Sequence, residues 1–473
     1  MKDKRKFFIG LRRTLGMVFL AGITLLFIDF TGTAQGWLGW MARIQFLPAL
    51  LALNAAVVIA LVALTLVAGR IYCSVICPLG VMQDVVSRCS GLRRKKKYRF
   101  SYSPEVKWLR YGMFAVFVAA LAAGVGSVVA LLAPYSSFGR IVSGLVWHRT
   151  LPVFIIALVT FVILFILAWR NGRTYCNTVC PVGTVLGFLS RFSLFRITID
   201  ESKCNKCGLC SRRCKAACID GKGNKVDYSR CVMCLDCLST CTHDAISYTR
   251  RRPGAEKGSP ATAPDVARRT FLSAAAVVAA GAAIKAEEKI VDGGLAIIED
   301  KKIPARATPI VPAGAQGLRH MARHCTACQL CVTVCPDGVL RPSGRLESLM
   351  QPELSYESGY CRPVCTRCSD VCPAGAIMRI TPADKSAIQI GHAVWVRDNC
   401  VVLTDGVQCG NCARHCPAGA IQMIPSVPGD ENSPRIPMVN TERCTGCGAC
   451  ENLCPARPFS AIYVEGHERH RTI

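Results

Sequence analysis

Long apolar segments dominate the first part of the chain, and shorter polar segments fill the rest. Residues 151–169 contain no ionisable side chain. Crossing a bilayer takes about 20 apolar residues, and four stretches are close to that length: 14–30, 47–68, 110–132 and 151–169. The pattern predicts an α-helical membrane domain of four spans over residues 1–199.

Basic residues flank these stretches on one side of the predicted membrane. Lys and Arg cluster at the N-terminus, at 93–97 and at 170–173. The loops at 31–46 and 133–150 hold only Arg43, Arg140 and Arg149. By the positive-inside rule, both ends of the domain are cytoplasmic and the two loops face outward. The net charge of +26 thus reflects membrane orientation, and we do not expect nucleic acid as a partner.

One motif occurs twice in this region. Residues 70–80 read RIYCSVICPLG, and residues 173–183 read RTYCNTVCPVG. Each copy follows the second apolar stretch of a pair, which predicts duplicated two-helix hairpins with a pseudo-twofold relation. Metal or cluster ligation, thiol redox chemistry and a structural or docking role all remain open for the four cysteines of the repeat: Cys73, Cys77, Cys176 and Cys180.

Iron–sulfur ligand spacing accounts for most of the 30 cysteines. In the bacterial ferredoxin run C-x2-C-x2-C-x3-C-P, the fourth cysteine binds the neighbouring cluster of a pair. We therefore expect α+β bacterial-type dicluster ferredoxin domains carrying six [4Fe-4S] clusters. The expected ligand sets are Cys204, Cys207, Cys210 and Cys241; Cys231, Cys234, Cys237 and Cys214; Cys325, Cys328, Cys331 and Cys372; Cys361, Cys365, Cys368 and Cys335; Cys400, Cys409, Cys412 and Cys454; and Cys444, Cys447, Cys450 and Cys416.

Some positions depart from the regular run. Lys215 and Thr242 stand where proline is expected after the fourth cysteine, and Cys218 competes with Cys214 as a ligand. The loops after Cys361 and Cys400 are longer than the standard spacing. Structural zinc and disulfides are the competing interpretations. Zinc sites use two separated pairs of ligands, and cysteines this close in sequence bridge poorly.

A polar linker at 251–267 separates a two-cluster domain at 200–250 from a four-cluster domain at 289–473. Residues 268–288 begin with Arg-Arg-Thr-Phe-Leu and continue as an apolar run of small residues, which is typical of a twin-arginine signal. A short buried helix is the alternative. That route exports folded proteins. We therefore expect the protein in a bacterial inner membrane, with the first cluster pair in the cytoplasm and residues 289–473 in the periplasm. Cleavage of the signal and its retention as a fifth helix both remain open.

The sequence also argues against a haem relay as the route of electrons across the membrane. None of the eight histidines lies in a predicted span, so a membrane haem relay is not expected, and no flavin motif is present. A membrane quinol is then the simplest carrier. Asp29, near the end of the first span, is either an acceptor for a quinol proton or an ordinary helix end.

At this point the chain resembles known families. Residues 1–250, with the apolar stretches, the two Tyr-Cys-x3-Cys-Pro-x-Gly segments and a cluster pair, resemble the membrane quinol dehydrogenase subunit associated with periplasmic nitrate reductase. Residues 265–473 resemble the exported ferredoxin subunit of that system and the methylamine-utilisation ferredoxin. The chain looks like a fusion of the two. The resemblance implies quinol oxidation, with electrons passed to a periplasmic cytochrome or terminal reductase.

These observations predict a membrane-bound electron-transfer subunit rather than a stand-alone enzyme. Its expected partners are the quinol pool and a periplasmic acceptor, and a cytoplasmic ferredoxin is an alternative inner donor. A different class of function remains open: an accessory polyferredoxin for the maturation, reactivation or redox sensing of a metalloenzyme.

Overall fold

The computed structural model describes residues 2–29, 31–93, 100–147, 151–221, 223–251, 291–292, 296–297 and 300–473. Apart from Arg251, the expected linker at 251–267 and the expected twin-arginine segment at 268–288 lie outside these residues.

The described residues among the first 190 form twelve helices, which we list as two series that each end in one copy of the repeated motif. The first series is α1 (Lys2–Ile28), α2 (Thr33–Arg43), α3 (Phe46–Leu51), α4 (Ala55–Ala68), α5 (Tyr72–Val75) and α6 (Pro78–Arg93). The second series is α7 (Lys107–Ala123), α8 (Gly126–Leu132), α9 (Pro134–Trp147), α10 (Leu151–Asn171), α11 (Thr174–Thr178) and α12 (Pro181–Ser190). In both series a short helix holding the first cysteine of the repeated motif precedes a helix that starts at its proline.

The candidate membrane spans differ from the expected four continuous helices. Within the described residues, Phe7–Ile28 and Phe154–Asn171 are long and apolar enough to cross a membrane. A third candidate is broken, because Gly126–Leu132 and Pro134–Val146 meet at 84°. The stretch expected at 47–68 is interrupted at Leu53, which has a φ of 53°. The other stretch is interrupted at Gly124, a left-handed residue that ends α7.

The first cluster region is small and contains two antiparallel strand pairs. Its elements are β1 (Phe195–Ile199), α13 (Leu209–Arg213), β2 (Ile219–Asp220), β3 (Lys225–Val226) and β4 (Ile246–Arg250). Phe195 pairs with Arg250 and Ile199 with Ile246, so that β1 and β4 bring the two ends of the region together.

The C-terminal region combines short helices with two-stranded sheets. It follows the strand pair β5 (Val291–Asp292) and β6 (Ala296–Ile297). Its elements are α14 (Leu318–His324), α15 (Leu330–Thr333), β7 (Leu340–Pro342), β8 (Pro352–Leu354), α16 (Arg367–Val371), α17 (Pro382–Ala387), β9 (Ile388–Trp395), α18 (Val401–Thr404), α19 (Asn411–Arg414), β10 (Ile421–Pro425), β11 (Arg435–Val439), α20 (Ala449–Asn452) and β12 (Ile462–Thr472).

One hydrophobic core continues from the helices into both cluster regions. Phe27 and Tyr72 of the helices belong to it, as do Val232 of the first cluster region and Leu330 of the C-terminal region. A second core belongs to the last two cysteine motifs and includes Val402 and Ile462. The first pair of C-terminal motifs is therefore packed against the helices, whereas the last pair has a core of its own.

Candidate metal centres

Four of the six cysteine loops share one backbone conformation. In each, the residues on both sides of the second cysteine have positive φ; they are Lys206 and Gly208, Met233 and Leu235, Ala327 and Gln329, and Gly446 and Gly448. For a residue other than glycine this conformation costs on the order of 1–3 kcal/mol. Successive N–H groups in such loops turn toward the same side and form a concave site for an anion. A negatively charged cluster with its thiolates is an occupant of that kind.

The two loops with longer spacing use another conformation. Thr366, after Cys365, has a φ of −115°, and Gly410, after Cys409, has a φ of −169°. The unusual spacing at Cys361 and Cys400 is therefore accompanied by a different loop geometry.

The structure brings most of the expected ligand sets together. Electrostatic interactions join Cys237 to Cys231, Cys234 and Cys214; Cys331 to Cys325, Cys328 and Cys372; Cys368 to Cys361, Cys365 and Cys335; Cys412 to Cys400, Cys409 and Cys454; and Cys450 to Cys444, Cys447 and Cys416. In the remaining set, Cys210 interacts with Cys204 and Cys207. These neighbours agree with an exchange of the fourth cysteine between companion motifs, and the ligand assignment itself stays a prediction.

The spacing of the thiols is compatible with four-iron clusters. Within the described residues, no three side chains of His, Cys, Asp or Glu converge closely enough to hold one metal ion. A four-iron cluster does not need such convergence, since each of its thiolates binds a different iron atom. Backbone N–H groups also point at the sulfurs of two predicted ligands: Ala327 N lies 3.4 Å from Cys325 Sγ, and Ala420 N lies 3.3 Å from Cys416 Sγ.

Cys218 lies inside one of these sets. Its Sγ is 3.5 Å from Cys214 Sγ, it also interacts with Cys231, and it is buried. Cys214 and Cys218, which the sequence indicates as competing ligands, are therefore in direct contact.

Lys215 lies at the centre of a buried ion network, although it stands where the regular motif has proline. Its Nζ is 3.2 Å from Asp84 Oδ1 on α6 and 2.9 Å from Asp236 Oδ2 in the companion motif. Its carbonyl oxygen accepts a hydrogen bond from Arg173 N at 2.9 Å. The residue thus ties the first cluster region to both series of helices. We call these contacts the Lys215 junction.

Asp84 forms ion pairs with three cationic side chains. Arg12 of α1 lies 3.2 Å from it and Arg173 lies 2.8 Å from it, in addition to Lys215. Burial alone raises the pKa of Asp84, but the charges of Arg173, Lys215 and Arg12 hold this pKa well below its ordinary range. Sequence reasoning missed Asp84 and the role of Lys215. The available signals were an acid in a strongly basic segment and a lysine in the place of a proline.

The C-terminal region meets the helices by close packing. A Cβ atom at Gly139 of α9 would overlap the carbonyl oxygen of Cys328 and lie 2.7 Å from the ring of Phe27. Tyr135, one turn earlier, packs against Phe27 with ring centroids 5.7 Å apart. Arg43 Nη2 donates a hydrogen bond to Asp370 O at 3.1 Å. We call these contacts the Gly139 junction.

Asp29 has a structural role at the start of α2. Its Oδ1 accepts hydrogen bonds from Thr31 N at 2.9 Å and Gly32 N at 3.2 Å, and its Oδ2 accepts one from Ala34 N at 2.7 Å. These donors favour the helix-end interpretation over the proton-acceptor interpretation.

The comparisons with known proteins support this chemistry. A 4Fe-4S binding domain family matches residues 50–99 and 153–199, which contain the two copies of the repeated motif, and a 4Fe-4S dicluster domain family matches residues 407–457. The methylamine utilization ferredoxin-type protein MauM of Paracoccus denitrificans is 34% identical over 159 residues, covering 32% of this chain and 69% of that protein. The chain belongs to this family of ferredoxin-type proteins.

Two further relatives cover about half of this ferredoxin-type protein. An uncharacterized protein of Methanocaldococcus jannaschii is 27% identical, over 52% of this chain and 92% of its own length. The putative electron transport protein YccM of Escherichia coli is 24% identical, over 49% of this chain and 68% of its own length. No solved structure matches the chain. The ferredoxin-type protein is thus an iron–sulfur electron-transfer protein with 4Fe-4S binding domains.

Proposed function

We propose that this ferredoxin-type protein is an electron conduit of the bacterial inner membrane. In this proposal it takes electrons from the quinol pool, or from an inner donor such as a ferredoxin, and delivers them to a periplasmic cytochrome or terminal reductase. Six [4Fe-4S] clusters, bound by the six cysteine sets, supply one-electron carriers. The observation that supports it most strongly is that two cluster-bearing regions contact different parts of one helical domain.

The contacts at the two junctions agree with this orientation. The Lys215 junction involves Arg12, Asp84 and Arg173, all from segments that the positive-inside rule assigns to the cytoplasmic face. The Gly139 junction involves Arg43 and Gly139, both from the segments expected to face outward. The two cluster regions would then lie on opposite sides of the membrane, as a conduit requires.

Reduction by quinol tests the proposal. Membranes containing the full-length protein are analysed for iron and by EPR, before and after addition of a menaquinol analogue. Each quinol releases two electrons and two protons, and each cluster takes up one electron, so cluster signals are expected to appear on addition. Clusters that are present but remain silent would contradict the quinol as donor. A reduced ferredoxin added in parallel distinguishes the inner donor.

A further inference from the structure

The four cysteines of the repeated motif form one buried group. Cys73, Cys77, Cys176 and Cys180 are each less than one tenth exposed. Electrostatic interactions connect every pair among the four, within each series of helices and between the two series. None of them belongs to the six ferredoxin sets.

Two arginines cross over between the series around these thiols. Arg70 Nη2 lies 3.8 Å from Cys73 Sγ of its own series and 3.1 Å from Cys176 O of the other. Arg173 Nη1 lies 3.7 Å from Cys176 Sγ and 2.8 Å from Cys73 O. Each arginine therefore donates to one sulfur and to one carbonyl of the opposite copy. These reciprocal hydrogen bonds are what the predicted pseudo-twofold relation between the two copies would produce.

The second cysteine of each motif receives a backbone donor. Gly183 N lies 3.3 Å from Cys180 Sγ, at the first turn of α12, and the N–H of Gly80 donates to Cys77 in the same way. A Cβ atom at Gly80 would lie 2.5 Å from Arg173 Nη1, and one at Gly183 would lie 2.9 Å from Arg70 Nη2. The glycines at the ends of the two motifs therefore leave space for the carbonyl oxygens of Cys73 and Cys176 and for the arginines that donate to them.

The buried positive charge of Arg70 favours an anion at this site. Arg70 is fully buried, and among the described residues no carboxylate lies within ion-pair distance of it. Its hydrogen-bond partners outside the repeated motif are neutral: Asn177 Oδ1 and Ser229 O, each at 2.9 Å. It also interacts electrostatically with Cys231 of the first cluster region. Burying a cation without a counter-charge is strongly unfavourable. Thiolates on a cluster, next to Arg70, would supply the missing negative charge.

We propose that Cys73, Cys77, Cys176 and Cys180 together bind one additional iron–sulfur cluster, with two ligands from each series of helices. The described residues hold no group of three ligands at the spacing of a single ion, so a four-iron cluster fits better than zinc. Two guanidinium groups and two helix-terminal N–H groups compensate its negative charge. The inference does not depend on the quinol or on the direction of electron flow.

The position of this site explains what it would do. Arg70 contacts Ser229, two residues before Cys231 in the first cluster region. Tyr175, beside Cys176, donates to Leu132 O at 2.9 Å at the end of α8, and α9 then carries Gly139 to the loop of Cys328. The site thus lies between the two cluster regions, where no ferredoxin ligand set is found in the described residues. A cluster at this site would accept one electron from one cluster region and pass it to the other.

Counting iron tests the proposal directly. The full-length Cys73→Ser/Cys176→Ser variant is purified beside wild type and analysed for iron, zinc and EPR signals. About four fewer iron atoms per chain are expected, with the remaining cluster signals intact. Cys89→Ser is the matched control, since Cys89 is an exposed free thiol on α6, and it is expected to keep all of its iron. Equal iron in wild type and the double variant would overturn the proposal, as would loss of zinc instead of iron.

A second variant retains all four cysteines, so that it remains informative if the serine variant fails to fold. Arg70→Gln removes a positive charge next to Cys73. In a redox titration followed by EPR, one signal is expected to shift to lower potential while the others stay in place, because the reduced cluster loses a stabilising cation. An unchanged set of potentials, or a disulfide between these cysteines in the iron-loaded protein detected by mass spectrometry, would contradict a cluster here.

Discussion

At the Lys215 junction the first cluster region is held to the helices by buried ion pairs, whereas at the Gly139 junction the C-terminal region is held by close packing and by one hydrogen bond from Arg43 to the backbone of Asp370. Lys215 lies between Asp84 and Asp236, and all three side chains are buried. Among the described residues, no ion pair joins the C-terminal region to the helices. There, the carbonyl oxygen of Cys328 approaches Gly139 where a side chain would not fit.

The difference shows two ways of fixing a cluster loop against a helix. Charges buried at a junction specify the position because any misplacement leaves an unpaired ion in a poorly solvated site. Close packing specifies it through volume, because an added methyl group has no space to occupy. The Lys215 junction should therefore be sensitive to charge and tolerant of small changes in volume, and the Gly139 junction should show the reverse.

The largest effect is expected from Asp84→Asn. The substitution leaves Arg12, Arg173 and Lys215 without their shared carboxylate, and breaking a buried pair costs about 3–5 kcal/mol. Thermal unfolding in detergent measures this loss. Asp200→Asn is the control, because Asp200 forms an exposed pair with Lys203, and exposed pairs contribute little to stability. Equal losses in the two variants would refute a special role for the buried network.

Lys215→Met should have a smaller effect, about 2–3 kcal/mol. Asp84 keeps two arginines and Asp236 keeps Arg13, so that neither carboxylate is left without a cation. Hydrogen exchange of residues 200–250 should increase.

Thr242→Val provides the matched control for Lys215→Met. Thr242 occupies the corresponding place after Cys241 but is exposed, so hydrogen exchange should hardly change. Faster exchange in both variants would show that the position after the fourth cysteine matters in itself and that the ion network does not.

Gly139→Ala tests the other junction and should cost about 1–2 kcal/mol through overpacking against Cys328 and Phe27. Limited proteolysis of the C-terminal region should become faster. Gly112→Ala on α7, where no atom lies within 4 Å of the added methyl group, should instead be neutral or stabilising by up to about 1 kcal/mol. If Gly139→Ala behaves like Gly112→Ala, the contact at Gly139 is not a tight one.

Acidification should destabilise the C-terminal region relative to the first cluster region by about 1–2 kcal/mol. Burial, and the charge of His467, lower the pKa of His470 in the C-terminal region from 6.5 to about 4. The folded state therefore disfavours protonation of His470. The contribution of neutral His470 to stability is complete above pH 6.5 and is lost as the pH falls toward 4. The depressed pKa of Asp84 acts only at lower pH, below the ordinary carboxyl value of about 4.

Hydrogen exchange measured at pH 7 and pH 5 monitors this difference. The C-terminal region should loosen at pH 5 and residues 200–250 should not. His470→Gln should reduce the pH dependence, and the smaller remainder should come from His467, whose pKa burial also lowers. Loosening of both regions together would contradict the assignment to His470.

The cysteine spacing predicted the cluster loops because ligand geometry is local. Four regular loops share their left-handed residues, and the irregular loops at Cys361 and Cys400 differ, as their spacing indicates. The repeated motif was also visible, since it is a similarity within the sequence. Composition did not reveal the breaks at Leu53 and Gly124, because an apolar stretch reads the same whether its helix is continuous or bent.

The partners of Lys215 were beyond local reasoning for a different reason. Asp84 and Lys215 are 131 positions apart, and their contact depends on how the first cluster region docks on α6. Asp29 differs, because its partners Thr31, Gly32 and Ala34 are close in sequence, and these hydrogen bonds favour the helix-end interpretation.

The crossing of Arg70 and Arg173 has a consequence for how the protein is made. Each guanidinium completes its hydrogen bonds on the carbonyl of the opposite motif, so that neither series can finish folding alone. During synthesis, Arg70 emerges from the ribosome about a hundred residues before Cys176. At 5–20 residues per second, the first series is therefore complete about 5–20 s before the carbonyl group that Arg70 binds has been synthesised.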